Sequence, residues 1–394
     1  MRVALLTDGI QPYVMGGMQR HSFFIAKYLA QNKIFVELFH TQHNNNLAIS
    51  KLECFTDDEK KYINSHVIQF PQMGKAPGHY LRESYEYSIR IFNKLKDIKN
   101  VDFIYAKGFS GWKCIQEKIK GHYFGAPIAV KFHGLNMFQK PPGIKGWLES
   151  LLFKSPVKYN MLNADYVFSY GGRITEITKR VGVLNEKIIE LPTGIESDWI
   201  KSSNEIKKTT DDIKFVYVGR YERLKGIEEL SLAIKQLDKF LKAEFHFVGP
   251  IPERKKIKGS NIFYHGAISD KSKIVSILDS CDVLVCPSYS EGMPNVIIEA
   301  MSRGLAIMAT DVGAINYLVS SKNGWLIKEP TVLAIKTVLT DIIKFPKNEL
   351  DLKKVESIYF TEKNLKWENV ATGLITALNN AIKSYKTSSG RPDK

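Results

Sequence analysis

Four cysteines, at positions 54, 114, 281 and 286, are few for 394 residues, and none forms a Cys-x-x-Cys pair. That excludes a disulfide framework and points to a reducing, cytoplasmic compartment. No stretch approaches the roughly 18 unbroken apolar residues of a membrane span. The opening MRVALLTDGIQPY meets Asp8 before a signal-like apolar core can form. Any membrane contact is therefore expected to be peripheral. Also missing are a GxxxxGK(S/T) phosphate loop, a GxGxxG after a strand, a GxSxG elbow and any Asp-x-Asp pair. These absences argue against a P-loop NTPase, a dinucleotide oxidoreductase and a nucleophile-elbow hydrolase. They also remove the usual divalent-cation clamp on a nucleoside diphosphate. The pair His40 and His43 lacks acidic or Cys partners nearby, so no metal site is expected there.

Acidic side chains are short of balance: 41 Asp and Glu against 56 Lys and Arg leave a net charge of +15. Residues 1–200 hold 26 basic and 18 acidic side chains and the rest hold 30 and 23, so no basic tail is the source. A diffuse positive field suits nucleic acid, an anionic membrane or phosphorylated small molecules; a solvated Lys-rich surface is the plainer alternative.

What is present is alternation. RVALLT, KIFVELFH, VDFIYA, PIAVKF, DYVFSY and KIIELP are short strand-like runs, separated by helical patterns at MQRHSFFIAKYLAQ, from Trp112, at 146–159 and from Arg173. Residues 201–212, KSSNEIKKTTDD, have linker composition, with one aliphatic residue in twelve. The pattern restarts with IKFVYVG and continues through AEFHFVG, NIFYHG, DVLVCP, LAIMAT and GWLI. Helices are predicted over 224–241, near 270–279, from Pro294 to Arg303 and on to about 384. Runs buried on both faces and separated by helices predict parallel sheets. The expected fold is therefore α/β, with two doubly wound Rossmann-like domains: residues 1–200 and 213–361. Residues 385–394 read as a disordered tail. In such sheets ligands bind beyond the carboxyl ends of the strands, so two facing domains would enclose a central cleft.

Four strand-end clusters carry candidate chemistry. Gly16 and Gly17 precede the first helix, where backbone N–H groups can approach an anion; a structural tight turn is the other reading. His133 follows PIAVKF, as either a cleft residue or a structural histidine. Arg220 and Lys225 follow IKFVYVG and suit a diphosphate, or form a solvated basic loop. In SYSEGMPNVIIEAMSRG, Glu291 lies before a predicted helix and Glu299 inside it, with Pro294 expected in its first turn. Backbone N–H groups of Met293, Asn295 and Val296 would form an anion site at that helix start. Carboxylates beside an anion site suit a ligand whose phosphates are flanked by hydroxyl-rich groups. Together the clusters describe a nucleotide sugar.

VGR-x4-KG, SEGMPNVIIEA and LPTGIE at 191–196 resemble the retaining glycosyltransferase family 4 (glycosyl transferases group 1), over nearly the whole chain. The resemblance implies the GT-B architecture, a last helix returning to the first domain (residues about 362–384) and acceptor binding by that domain. It implies the diphosphate pair Arg220 and Lys225, the ribose carboxylate Glu299, the sugar-facing carboxylate Glu291, His133 near the reacting sugar and the phosphate loop Gly16–Gly17. It further implies a hexosyltransferase-type, retaining reaction. With two cations and a helix dipole in place a metal is not needed, so no cofactor is expected beyond a UDP- or GDP-sugar donor. The expected acceptor is a glycan or lipid-linked hydroxyl in cell-surface polysaccharide or glycolipid biosynthesis. An epimerase or phosphorylase on the same fold is the alternative. A nucleic-acid partner is not expected, since no groove-entering helix or RNA-type aromatic motif is visible. Ile144, Trp147, Leu148, Leu151 and Leu152 share one helical face ringed by Lys140, Lys145 and Lys154. That face is read first as core-facing and second as a dock for an anionic membrane at the inner face.

Overall fold

The computed structural model describes residues 1–41, 52–74, 78–122, 125–140, 143–238 and 240–388. His43, residues 389–394 and the side chains of Ile144 and Lys145 lie outside the described residues. Two all-parallel sheets organise the chain. The first comprises β1 (Arg2–Leu6), β2 (Phe35–His40), β3 (Ile63–Val67), β4 (Phe103–Lys107), β5 (Ile128–Lys131), β6 (Tyr166–Ser169) and β7 (Ile188–Glu190), in the order β3-β2-β1-β4-β5-β6-β7. The second comprises β8 (Ile213–Val218), β9 (Ala243–Val248), β10 (Ile262–Gly266), β11 (Val283–Cys286), β12 (Ala306–Thr310) and β13 (Gly324–Ile327), in the order β10-β9-β8-β11-β12-β13. Strand order reverses beside β1 in one sheet and beside β8 in the other, which sets a crevice at each switch point.

Burial explains the strand sequences. Every residue of β4, β5, β11 and β12 is buried, because helices cover both faces. The edge strand β3, INSHV, buries only Ile63. A strand with one buried residue leaves no hydrophobic run, and sequence reading passed over it. The helix His79–Leu95 was passed over too: among its buried residues only Tyr87, Ile91 and Leu95 are apolar.

The chain crosses between the domains twice, side by side. Ile195 donates its N–H to the Leu365 carbonyl at 2.7 Å, and Trp367 donates to the Ile195 carbonyl at 3.0 Å. Gly194 is required there, since a β-carbon would lie 2.6 Å from the Trp367 indole. The returning helix is Trp367–Ser388, later at both ends than the expected 362–384. Residues 362–364 instead finish the helix Lys347–Asn364, which stays with the second domain through Lys354 and Asp282 at 3.0 Å. The expected tail is likewise helical as far as Ser388. Trp367 stacks on Phe24 (5.1 Å) and Tyr28 (5.8 Å) of the helix Gly17–Gln31.

Trp367 thus pins the second crossing to the first domain. Trp367→Ala is expected to lower stability by about 3–5 kcal/mol, the usual cost of deleting a buried aromatic. Denaturant unfolding followed at the first-domain tyrosines measures it, and a change near zero would contradict this role.

Candidate active site

The carboxyl ends of both sheets face a cavity of about 320 Å³. Of the residues predicted from sequence it is lined by Gly17, His133, Arg220, Lys225, Glu291, Met293 and Asn295. Gly16, Val296 and Glu299 do not line it.

Two loops of the second domain supply the charge. After β8 the chain makes a short 3-10 turn, Arg223–Lys225, then Gly226 at φ 65°. A β-carbon on Gly226 would meet the Pro287 carbonyl at 1.9 Å, so glycine lets this loop lie against the end of β11. That places Lys225 Nζ 2.7 Å from Glu291 Oε1, which also accepts from Ser288 Oγ at 2.7 Å. Burial opposes the Lys225 charge, but Glu291 outweighs it and raises the lysine above its ordinary value. Arg220 behaves differently. It is 74% exposed and, among the described residues, pairs with the Glu222 carboxylate alone at 3.0 Å, so its guanidinium is accessible to a ligand. Arg223 turns away to Glu229 and Tyr289.

The second helix start differs in detail from expectation. Pro294 is extended (φ −72°, ψ 119°) and caps the helix Asn295–Ser302 rather than entering its first turn. Gly17 begins the first-domain helix, and a β-carbon there would sit 3.7 Å from Asn295 Nδ2. Two helix N-termini, neither with an acidic first turn, therefore meet at one edge of the cleft. Their partial positive charges favour an anion.

Closure of the cleft rests on contacts of residues 133–139 with 290–292. Ser290 donates to Asn136 Oδ1 (2.8 Å) and Gln139 Nε2 donates to the Glu291 carbonyl (2.7 Å). A β-carbon on Gly292 would lie 2.0 Å from the His133 carbonyl oxygen.

Sequence reading missed several groups. Arg20 reaches across the domains to Glu299 at 2.8 Å, beside the cleft. Burial raises the Glu299 carboxyl, and Arg20 offsets part of that. Lys107 and Lys131 are buried, and Lys107 Nζ lies 2.7 Å from His21 Nδ1 and 3.1 Å from His133 Nε2. Tyr170 OH sits 2.6 Å from His133 Nδ1. The available signal was a lysine closing each of two apolar strands, FIYAK and IAVK. His40 is buried and bonded to Ser65, and burial drops it to about 4. Among the described residues no group of three His, Cys, Asp or Glu is arranged to hold a metal.

The helix Ile144–Asn163 overturns the core-facing reading. Trp147, Leu148, Leu151 and Leu152 are roughly half exposed, while Phe153 and Val157 line a second, apolar cavity of about 480 Å³ that reaches His133. Among the described residues no helix is long and apolar enough to cross a membrane.

Comparison with known proteins agrees with this geometry. Residues 212–343 match the family model described as glycosyl transferases group 1. A putative teichuronic acid biosynthesis glycosyltransferase, TuaC of Bacillus subtilis, is 30% identical over 222 residues, spanning 54% of each chain, so the alignment takes in about half of that relative. The uncharacterized glycosyltransferase MJ1069 of Methanocaldococcus jannaschii is 28% identical over 379 residues, 90% of this chain and 92% of that one. An N,N'-diacetylbacillosaminyl-diphospho-undecaprenol alpha-1,3-N-acetylgalactosaminyltransferase of Campylobacter jejuni is 26% identical over 58% of this chain and 65% of its own. Among solved structures, sucrose-phosphate synthase of Thermosynechococcus elongatus superposes with a TM-score of 0.75 at 19% identity, over 97% of this chain and 99% of that one. Anabaena HepE in complex with UDP-glucose superposes at 0.63 and 15%, over 96% and 100%. These likenesses establish the shared two-domain fold.

Gly292→Ala should force the facing loops apart by at least about 1 Å, since carbon and oxygen do not approach to that distance. Amide hydrogen exchange is then expected to speed up across 133–139 and 290–293, with the melting temperature little changed. Unaltered exchange there would show that the contact does not hold the cleft closed.

Proposed function

We propose that the protein moves a sugar from a nucleoside-diphosphate donor to a hydroxyl of a glycan or lipid-linked acceptor in cell-surface polysaccharide assembly, a reading supported by the match of residues 212–343 to the glycosyl transferases group 1 model. The observation that carries the reading is the Lys225–Glu291 pair at 2.7 Å in a cleft shared by both domains. A cation and a carboxylate side by side, next to two helix N-termini, match a ligand that is anionic at one end and rich in hydroxyls at the other.

As the bond to the sugar breaks, negative charge grows on the leaving diphosphate. Arg220, Lys225 and the start of the helix Asn295–Ser302 stabilise it without help from a metal ion. Glu291 accepts hydrogen bonds from donor-sugar hydroxyls and holds the ring for attack. Same-face attack, with the leaving phosphate oxygen taking the acceptor proton, gives retention of the anomeric configuration. Glu299, held by Arg20 in the small cavity beside the cleft that Asn295 also lines, is the carboxylate for the ribose hydroxyls. The donor is a UDP- or GDP-sugar; HepE, of the same fold, is known with UDP-glucose bound. The Campylobacter relative's name specifies an undecaprenol-linked acceptor, and the apolar cavity beside His133 suits the lipid end of such a molecule. The exposed Trp147, Leu148, Leu151 and Leu152 then rest on an anionic membrane surface, drawn by part of the net charge of +15.

Incubation with a panel of nucleotide sugars tests the reaction. Acceptor-dependent release of nucleoside diphosphate, unaffected by EDTA and yielding a product of the donor's anomeric configuration, is expected. Nucleotide release without transfer, or interconversion of the sugar alone, would point to a different enzyme. Arg220→Ala is expected to lower turnover by about 100-fold or more while leaving the melting temperature unchanged; near-normal turnover would remove Arg220 from its role. Flotation with anionic vesicles at low salt is expected to carry the protein upward, and Trp147→Ser with Leu148→Ser to abolish this. Absence of wild-type flotation would argue for a soluble acceptor.

A further inference from the structure

Beneath the reacting centre lies a group of basic side chains that the proposed reaction does not use. Lys107, the last residue of β4, is 2% exposed. Its Nζ lies 2.7 Å from His21 Nδ1 on the helix Gly17–Gln31 and 3.1 Å from His133 Nε2 on the loop after β5. The other nitrogen of His133 meets Tyr170 OH, on the loop after β6, at 2.6 Å. Both ring nitrogens of His133 are thus engaged inside the protein, although the residue lines the cleft.

Proton placement follows from the donor inventory. A lysine amine has two N–H groups when neutral and three when charged, which is enough to serve two imidazoles in either state. If it donates to both, His133 must carry its single proton on Nδ1 and direct it at the Tyr170 oxygen. His21 must carry its own on Nε2, an atom with no partner among the described residues. The surroundings favour neutral rings. Burial, Lys107 and Lys131 hold His133 well below the usual histidine range, and the same groups act on His21. Lys131 sits under the Tyr170 ring at 3.8 Å and donates to the Leu191 carbonyl. Burial draws Lys107 itself to about 7, while Asp8, on the loop after β1, acts the other way. Tyr105 of β4 lies under the Lys107 amine at 5.8 Å, and Tyr87 of the helix His79–Leu95 bonds the Thr7 carbonyl nearby. From the second domain, Arg220, Glu222, Lys225 and Glu291 line the same cavity as His133.

We propose that Lys107 is a positioning residue that locks His133 into one neutral tautomer, so that His133 shapes the sugar site through its ring face and backbone carbonyl and does not act as an acid or base. The proposal deepens the glycosyl-transfer reading and rests on it for its catalytic consequence. Its structural content stands apart and is measured apart.

Nitrogen NMR of the full chain labelled at histidine, with His133 assigned through His133→Gln, reads the tautomer directly. The expected result is a proton on Nδ1, a bare Nε2 and no titration from pH 8 down to about 5. A proton on Nε2, or titration near the ordinary histidine value, overturns the proposal, and this holds even if Lys107→Met does not fold. In Lys107→Met one of the repelling cations is gone, so His133 should titrate at least about one pH unit higher. The acid limb of the transfer rate should move upward with it, because protonated His133 is the inactive form. A folded Lys107→Met protein whose titration and pH–rate profile superimpose on wild type also overturns the proposal. If the wild-type chain transfers no sugar, the enzymatic reading fails while the NMR result still decides the role of Lys107.

Discussion

The site depends on one close approach, that of the residue 292 backbone to the carbonyl of His133. Neither sheet by itself brings cations, carboxylates and the histidine together. The first supplies His133, Tyr170 and the start of the helix Gly17–Gln31, and the second supplies Arg220, Lys225, Glu291 and the start of the helix Asn295–Ser302. Only with residue 292 free of a β-carbon can loop 290–292 meet 133–139, and the Asn136–Ser290 and Gln139–Glu291 hydrogen bonds follow from that meeting. The paired crossings at Ile195 and Leu365–Trp367 are tied to each other by backbone hydrogen bonds, which fixes where the chain passes between the two domains.

Legibility in the sequence followed from how each residue is held. Arg220, Lys225 and Glu291 stand on loops just after apolar strands, where charge has no core role, and their types alone narrowed the ligand. Glu299 was legible as a carboxylate on a helix, but its partner was not: Arg20 is 279 residues away in the chain. Lys107 and Lys131 were hidden because a lysine at a strand end ordinarily reaches solvent. Only the packing of Tyr105, Tyr170 and His21 around them shows otherwise. The ridge at Trp147–Leu152 was misread for a related reason. The helix is apolar on both faces, and periodicity cannot tell which face meets the sheet. The edge strand β3 carried too little apolar area to register.

The positive charge of the cleft is divided between two environments that act differently. Arg220 is exposed and keeps its attraction for a ligand, subject to screening by salt. Lys225 is held by Glu291, so its charge is partly neutralised until a more strongly anionic group arrives. A diphosphate competing for Lys225 would free Glu291 to accept sugar hydroxyls, since the carboxylate can turn from one partner to the other without leaving the cleft. The pair thereby links recognition of the two ends of the donor.

Lys107 and Lys131 represent the opposite choice, amines placed where water is excluded, and burial pushes both below the ordinary lysine value, Lys107 to about 7. Burying an ammonium costs several kcal/mol unless nearby groups accept its hydrogens. The acceptors here are imidazole nitrogens, a backbone carbonyl and an aromatic face, none of which carries a full negative charge. Such weakly compensated burial reduces stability, and replacing either lysine by an apolar residue of similar size would relieve it if packing were all that mattered. The arrangement is understandable as a constraint on the neighbours. Burial, with the two lysines beside them, suppresses protonation of His21 and His133, and the lysine between them fixes which nitrogen of each bears its hydrogen. A wall of the cleft that faces a departing diphosphate therefore keeps both imidazoles neutral and in one tautomer while the charge in front of it changes.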